Sequence, residues 1–458
     1  MTSVKKEHVY FIGIGGISMS GLAEILLNRG ISVSGTDISK SDTVRHLEEL
    51  GIKVNIGHRA ENITKDITLV VYTAAVKADN PEVIAAKELG IETIERAELL
   101  GRIMADFKLS LAVSGTHGKT TTTSMLSEIT MAAGVDPTLS IGGILPSING
   151  TTRIGRGDYF VAEACEYCDS FLKFDPFLEI ILNIDADHLD YFEDLNHIRR
   201  SFRAFAKRTP KGGYVIINSD IDNIDYITEE TEAEVMTFGT DKEKSDVYAE
   251  NITYGPNGYP SYDLCYKDSF ITKIALSVPG DHNVVNSLGA AAAALALGLD
   301  AESIKTGLKN FGGTHRRFEY KGERNGITIY DDYAHHPTEI AATLSAARKS
   351  FPDKKIWCIF QPHTYSRTLS LMDEFASAFK DADSIIIADI YAAREKDTGA
   401  VHSKDLVKNI KSCGGNAIYI GDFSEIKNYI LNSCTNGDLC ITMGAGDIFK
   451  VGEDLIKG

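Results

Sequence analysis

Six consecutive residues, Gly115-Thr116-His117-Gly118-Lys119-Thr120, leave this chain few folds to choose from. They follow a strand-like apolar stretch, 108–113, and lead into a helix-like run that reaches about residue 133. Glycines let backbone N–H groups turn inward around phosphate oxygens, and the following helix adds its positive N-terminus. Lys119 is then placed for the β/γ oxygens of a nucleoside triphosphate, and the Thr120 hydroxyl for Mg²⁺. The common spacing, G-x-x-x-x-G-K-[ST], asks for glycine at 113, where this chain has Val113, so the turn is a variant. An ordinary strand–helix turn is the competing reading. The threonine run 120–123 and the position between strand and helix argue against it.

The rest of the chain supplies the setting for such a turn. Residues 8–14, 31–37, 68–72 and 91–94 read as strands, separated by helix-like 19–28, 43–50 and 81–89. That alternation implies a parallel sheet with covered faces and a first domain at 1–107. Strands at 159–162, 179–183 and 213–218 continue the pattern. Residues 230–280 change texture to short alternating stretches with glycine and asparagine turns, which predicts an antiparallel insertion, and the alanine-rich 281–297 predicts a helix. From 314 onward, strand and helix repeat: 327–331, 338–349, 356–360, 368–379, 384–388, 403–410, 417–420, 423–430 and 439–443. The expected fold class is α/β in three domains. They are an N-terminal Rossmann-like parallel sheet at 1–107, a central P-loop ATPase-like domain with the antiparallel insertion at 108–313, and a C-terminal Rossmann-like doubly wound domain at 314–458.

A second glycine loop, Gly13-Ile14-Gly15-Gly16-Ile17-Ser18, falls one glycine short of G-x-G-x-x-G, and Asp37 ends the next strand. A nicotinamide dinucleotide, another nucleotide diphosphate, or a tight turn with no ligand all satisfy that pattern. Lysine plus arginine total 47 against 64 acids, a net charge of 47 − 64 = −17. An acidic surface of this size repels nucleic acid and anionic membrane, and neither is expected as a partner. No long apolar run predicts a membrane span. Lys5 and Lys6 precede an apolar stretch, but Gly13, Gly15, Gly16 and Gly21 break it, so strand–turn–helix explains it better than a signal peptide. Seven cysteines fit a reducing, cytoplasmic setting, and Cys165 and Cys168, a lone C-x-x-C, read as two free thiols.

Several segments together resemble the Mur ligases, which build the peptide of bacterial cell-wall precursors. They are GTHGKTTTT at 115–123, NIDADHLD at 183–190, DHNVVN at 281–286, THRRFE at 314–319 and DDYAHHPTE at 331–339. They occur in family order over nearly the whole chain. FIGIGGISMSGLA at 11–23, residues 331–337 and FQPHTYSR at 360–367 resemble most the member that handles a single amino acid, L-alanine. The resemblance implies an ATP-dependent amide ligase of peptidoglycan precursor synthesis. It would join L-alanine to the lactyl carboxylate of UDP-N-acetylmuramate through an acyl phosphate, giving ADP and phosphate. The alternatives are the related recycling ligase, which adds a peptide to the same sugar nucleotide, and a nicotinamide-dependent oxidoreductase. The expected cofactors are ATP and Mg²⁺, and the chain is expected to act as a monomer or homodimer.

The resemblance also distributes roles. Gly115, Thr116, His117, Gly118, Lys119, Thr120 and Thr121 would hold ATP phosphates, His282 and Asn283 the adenine side, and Arg317 and Asp332 further ATP contacts. Thr120, Glu163 at a strand end, and His188 would ligate Mg²⁺, with Glu166 a weaker candidate. Lys119, Glu163, His188 and Arg367 would carry catalysis. Gly15, Gly16, Ser18, Met19, Asp37, His58 and Thr73 would line the UDP-sugar site, and Tyr333, His335, His363 and Arg367 the amino-acid site. Of the adjacent His335 and His336, one is expected to be structural. Position 203 is arginine and the nearest lysine downstream is Lys207, so the carbamylated lysine of sister ligases is not carried over.

Overall fold

The computed structural model describes residues 7–73, 76–189, 191–255, 258–393 and 395–457; Lys5, Lys6 and Asp190 lie outside them. The chain is an α/β protein built on three sheets, and it divides into two compact units. The first holds 1–184, 198–217 and 221–236, and the second holds 185–197, 218–220 and 237–458.

In the first unit, strand His8–Ile12 is apolar on both faces, as a central parallel strand must be. It pairs with Ser32–Asp37 on one side and Leu69–Tyr72 on the other, and Lys53–Ile56 and Glu92–Glu95 complete an all-parallel sheet. Chain order reverses between His8–Ile12 and Leu69–Tyr72, so a crevice forms at their carboxyl ends, beside the loops holding Gly13–Gly16 and Thr73. The second sheet of this unit centres on Leu109–Ser114. Leu178–Ile181 and Tyr159–Glu163 flank it in parallel, and a hairpin of Thr138–Leu145 and Gly150–Arg153 forms an edge.

Helix Lys119–Ala132 follows the central strand and is almost wholly buried despite its run of hydroxyls. Three of those hydroxyls turn back onto their own helix. Thr123 Oγ1 donates to Lys119 O (2.8 Å), Ser127 Oγ to Thr123 O (2.7 Å) and Thr130 Oγ1 to Leu126 O (2.9 Å). Those three donors are thereby satisfied inside a packed layer, whereas the buried Thr122 Oγ1 has no hydrogen-bond partner among the described residues.

In the second unit, strands Val247–Tyr254, Pro260–Tyr266 and Ser269–Ala275 pair antiparallel, as the sequence texture predicts. Phe238 and Gly239 differ from that expectation, pairing in parallel with Val247 and Tyr248. The last sheet runs Glu319–Arg324, Ile327–Asp332, Leu439–Met443, Ile356–Phe360, Ser384–Ile387 and Ala417–Tyr419. Its first pair is antiparallel and the rest are parallel. That antiparallel edge strand is not among the strands expected from sequence. It forms because Asn325 and Gly326 both take positive φ, 51° and 76°, which makes a two-residue hairpin turn. The helix expected at 368–379 is two helices, Tyr365–Ser370 and Met372–Ala378, broken at Leu371. Chain order reverses around Leu439–Met443, so the carboxyl ends of that strand, of Ile327–Asp332 and of Ile356–Phe360 frame a second crevice. Among the described residues no helix is long and apolar enough to cross a membrane.

Candidate functional site

The turn at residues 115–120 is shaped by what glycine permits. Gly118 has φ 82° and Gly115 φ 131°, and a Cβ on Gly115 would lie 2.9 Å from Leu182 Cβ. The next strand's end clasps the turn from outside, where Asn183 Oδ1 accepts from His117 N (2.7 Å) and Asn183 Nδ2 donates to His117 O (3.0 Å). Val113 stays in the strand, paired with Ile180 and Glu163, so the turn is tighter than the common version.

Lys119 folds back over this turn. Its Nζ donates to Gly115 O (2.6 Å) and Thr116 O (3.0 Å) and pairs with both Glu166 oxygens at 3.2 and 3.0 Å. Burial opposes its charge, but Glu166 outweighs that, so the ammonium holds its proton more tightly than an ordinary lysine. Glu166 is thus Lys119's counter-ion here. Thr120 Oγ1 donates to Glu163 Oε2 (2.8 Å), which Gly142 N also approaches at 3.2 Å. A side chain at 142 would collide with this carboxylate, its Cβ lying 2.3 Å from Glu163 Oε2. A hydroxyl and a carboxylate side by side are the hard oxygen donors that Mg²⁺ takes. His188 belongs to the second unit, and among the described residues no group of three or more His, Cys, Asp or Glu could hold a metal. All seven cysteines are free, and burial pushes the Cys165 thiol up to about 11.

At the first crevice, the glycine loop hangs from the neighbouring strand, with Gly13 N and Ile14 N donating to Thr36 O at 2.8 and 2.9 Å. Asp37 Oδ2 accepts from Gly15 N (2.9 Å), so this acid braces the loop. Ser18 Oγ accepts from Arg96 Nη1 (2.9 Å), and the Arg96 guanidinium also lies in the field of Glu163. Gly16 precedes the helix Ile17–Asn28, and the Met19 side chain packs in the core. Thr73 is half-buried just past the end of Leu69–Tyr72. His58 Nδ1 lies 2.8 Å from Glu82 Oε2. Glu82 is fully buried and also accepts from Tyr10, Thr36 and Asn62, which fixes the ring's orientation.

At the second crevice, Asp332 Oδ2 accepts from Phe318 N and Oδ1 from Ala334 N, both at 2.7 Å, and burial pushes its carboxyl up to about 6. Arg317 lies over the Tyr333 ring, 5.3 Å from its centroid. Tyr333 also meets the His335 ring (5.4 Å), His335 meets His363 (5.7 Å), and Tyr391 stacks on His363 (5.7 Å, 16°). His336 caps helix Pro337–Ser350 in a capping box with Glu339. Loss of hydration lowers both His335 and His363 to about 4, so both rings stay neutral at ordinary pH. Arg367 Nη1 lies 3.1 Å from His363 Nδ1, while its Nη2 and Nε reach Asp187 Oδ1 at 2.9 and 3.3 Å. Burial opposes the charge of Asp187, yet His188 and Arg367 outweigh it and hold the carboxyl below the usual range. His188 takes a left-handed φ of 54°, and its N donates to Asp187 Oδ1 (2.7 Å).

Asn283 is committed to local bonds, donating to Pro279 O (2.7 Å) and accepting from Asn286 (3.2 Å). His282 packs against Gly280, whose Cβ would sit 2.5 Å from its ring, and lost hydration with Arg317 nearby lowers it to about 4. Arg203 and Lys207 pair with Glu229 and Glu230 on the surface. Asn183, Glu166, Glu82, Arg96, Asp187 and Tyr391 had no site role predicted from sequence, beyond the metal role weighed for Glu166.

Three family models match consecutive stretches: the Mur ligase family catalytic domain at 8–108, the Mur ligase middle domain at 113–294, and the Mur ligase glutamate ligase domain at 316–446. A curated relative from Lachnospira eligens, a UDP-N-acetylmuramate–L-alanine ligase, is 56% identical over 450 residues, covering 98% of each chain. Among solved structures, a UDP-N-acetylmuramate–alanine ligase from Thermotoga maritima superposes with a TM-score of 0.82 at 29% identity, covering 98% of both chains. A murein peptide ligase from Psychrobacter arcticus gives 0.73 at 25% identity over 98% of both.

Proposed function

The chain belongs to the Mur ligase family, and we propose that it joins L-alanine to the lactyl carboxylate of UDP-N-acetylmuramate with ATP as the energy source. The observation that carries this reading is the 56% identity, end to end, with an L-alanine ligase. The higher TM-score with the alanine ligase, 0.82 against 0.73 for the murein peptide ligase, favours a single amino acid over a peptide. We divide the work among residues 1–107 for the sugar nucleotide, 108–313 for ATP, and 314–458 for the amino acid. The free cysteines support a reducing, cytoplasmic setting.

A carboxylate is a poor electrophile, so one of its oxygens first attacks the γ-phosphorus and ADP leaves. The alanine amine then attacks the acyl carbon, phosphate leaves, and the nitrogen loses its extra proton. In this reading the amides of 115–119 and Lys119 cradle the phosphates, with Lys119 exchanging Glu166 for a phosphoryl oxygen. Thr120 and Glu163 would hold Mg²⁺. The ion would neutralise charge building on the transferred phosphoryl group. Arg96 sits beside Ser18, where it suits the diphosphate or lactyl carboxylate of the sugar nucleotide. His58, held by Glu82, would meet the same ligand. Arg367 suits alanine's carboxylate by its fork geometry, and the neutral rings of His335 and His363 orient the amine. Asp332 and Arg317 serve the nucleotide from the last sheet.

The test is phosphate release across a panel of amino acids, a tripeptide and several UDP-sugars. Release should require UDP-N-acetylmuramate and L-alanine together. Release with the tripeptide but not with L-alanine would overturn the assignment.

A further inference from the structure

The segment Arg316-Arg317-Phe318 departs from ordinary backbone on both sides of its middle residue. Arg316 has φ 61° and Phe318 φ 47°, and neither is glycine. Left-handed non-glycine residues persist only where their surroundings over-determine them, and such residues cluster at functional sites. Here each is pinned to the strand Ile327–Asp332 by its own carboxylate. Arg316 Nε donates to Asp331 Oδ2 (3.0 Å), its Nη2 to Gly444 O (2.6 Å), and its N to Glu319 Oε2 (2.9 Å). Its carbonyl accepts from Tyr333 N (2.6 Å), and its guanidinium lies over the rings of Phe449 (4.5 Å) and Tyr333 (4.9 Å). On the other side, Phe318 N donates to Asp332 Oδ2 (2.7 Å), and its ring stacks on Tyr330 at 4.6 Å.

Asp331 is itself anchored. It is 1% exposed, and its second oxygen accepts from Thr442 Oγ1 (2.6 Å). Successive strand residues face opposite sides of a sheet, so Asp331 and Asp332 tie down the two flanks of Arg317 from opposite faces. A double left-handed kink fastened at both ends fixes the direction in which the residue between them projects.

We propose that Arg316, held by Asp331, is a positioning residue that acts through Arg317, aiming it at the bound nucleotide without touching substrate itself. This rests on the reading of Arg317 as an ATP contact.

The test compares R316K, R317A and the double variant in phosphate-release kinetics, with melting temperatures alongside. Lysine keeps the charge but loses the forked contact to Asp331 and Gly444. R316K is expected to lower kcat/KM for ATP by about 10- to 100-fold while the KM for UDP-N-acetylmuramate stays within a factor of two. In the R317A background, R316K is expected to cost nothing further, because its only route of action is gone. An equal loss from R316K in both backgrounds would overturn the proposal, since a merely structural arginine would behave that way. Wild-type activity in R317A would instead remove the nucleotide reading on which the proposal rests. If R316K does not fold, D331N takes its place in the same cycle. It keeps the side chain's shape and removes the charge, and the same outcomes decide.

Discussion

Lys119 invites the simplest test of the ATP site, yet the structure warns that a single substitution there will mislead. The Lys119 and Glu166 side chains are only 13% and 2% exposed, so removing the ammonium strands a carboxylate in the interior. Breaking one side of a buried pair costs about 3–5 kcal/mol. At roughly 2–4 °C per kcal/mol for a domain of this class, Lys119→Met should melt about 6–20 °C lower. Loss of activity in that variant would therefore prove little.

The informative protein is Lys119→Met/Glu166→Gln, which replaces the ion pair by two neutral side chains of similar volume. Its melting temperature should return to within a few degrees of wild type, because neutral replacement of a buried pair is often close to energetically even. Its turnover should not return. Removing a cation aimed at developing phosphoryl charge costs on the order of 10²–10³-fold or more. Thermal melts and phosphate release on the same preparations provide both readouts. If turnover recovers together with stability, Lys119 merely balances Glu166, and its assignment to the phosphates is wrong.

Three further outcomes are expected. Arg367→Ala, made together with Asp187→Asn to avoid an unpaired buried acid, should raise the KM for L-alanine by about 10- to 100-fold, the scale of a lost charge-assisted pair. The KM for ATP should move by less than a factor of two, and an equal rise in both would remove Arg367 from the amino-acid site. Glu163→Gln should raise the Mg²⁺ concentration giving half-maximal rate about tenfold, consistent with loss of one anionic ligand. An unchanged Mg²⁺ curve would dismiss Glu163 as a ligand. Burial lowers His335 to about 4, below its ordinary value, so the unfolded chain binds more protons between those limits. Stability is then fully present above about pH 6.5 and lost as pH falls toward about 4, by on the order of 3 kcal/mol. His335→Gln should flatten that decline in urea titrations, and a slope identical to wild type would contradict it.

What could be read from sequence were features whose cause is local. Gly115 and Gly118 announce the turn because both take a positive φ that side chains rarely adopt, and the strand before and helix after follow from apolar periodicity. The Asn325-Gly326 turn also carries a local signal, and it explains the antiparallel edge strand. The partners of the site residues are a different matter. Arg96 meets Ser18 across 78 positions, and Arg367 meets Asp187 across 180, so no spacing rule connects them. Glu82 looks like one more acid at a helix start, and only the fold converts it into the buried acceptor that orients His58. The break at Leu371 is equally hidden, since both halves of 365–378 carry the same helical pattern.

A common electrostatic logic links two of the assigned cations. Lys119 and Arg367 are each largely buried and each paired with an internal carboxylate, Glu166 and Asp187. A chain of net charge −17 that handles triphosphate, diphosphate and carboxylate groups must concentrate cations in its clefts against its own overall field. Left alone in the interior, such cations would lose protons or destabilise the fold. The internal acids reduce that cost, and in the proposed reading an incoming anion would exchange with them for a cation that is already desolvated. Affinity in such a site reflects the difference between two ion pairs. Neutralising Glu166 or Asp187 alone should therefore tighten binding of the corresponding substrate even as it weakens the fold. A fall in both Kd and melting temperature in Glu166→Gln, measured with ATP, would carry that signature, whereas weaker ATP binding would show that Glu166 helps hold the nucleotide.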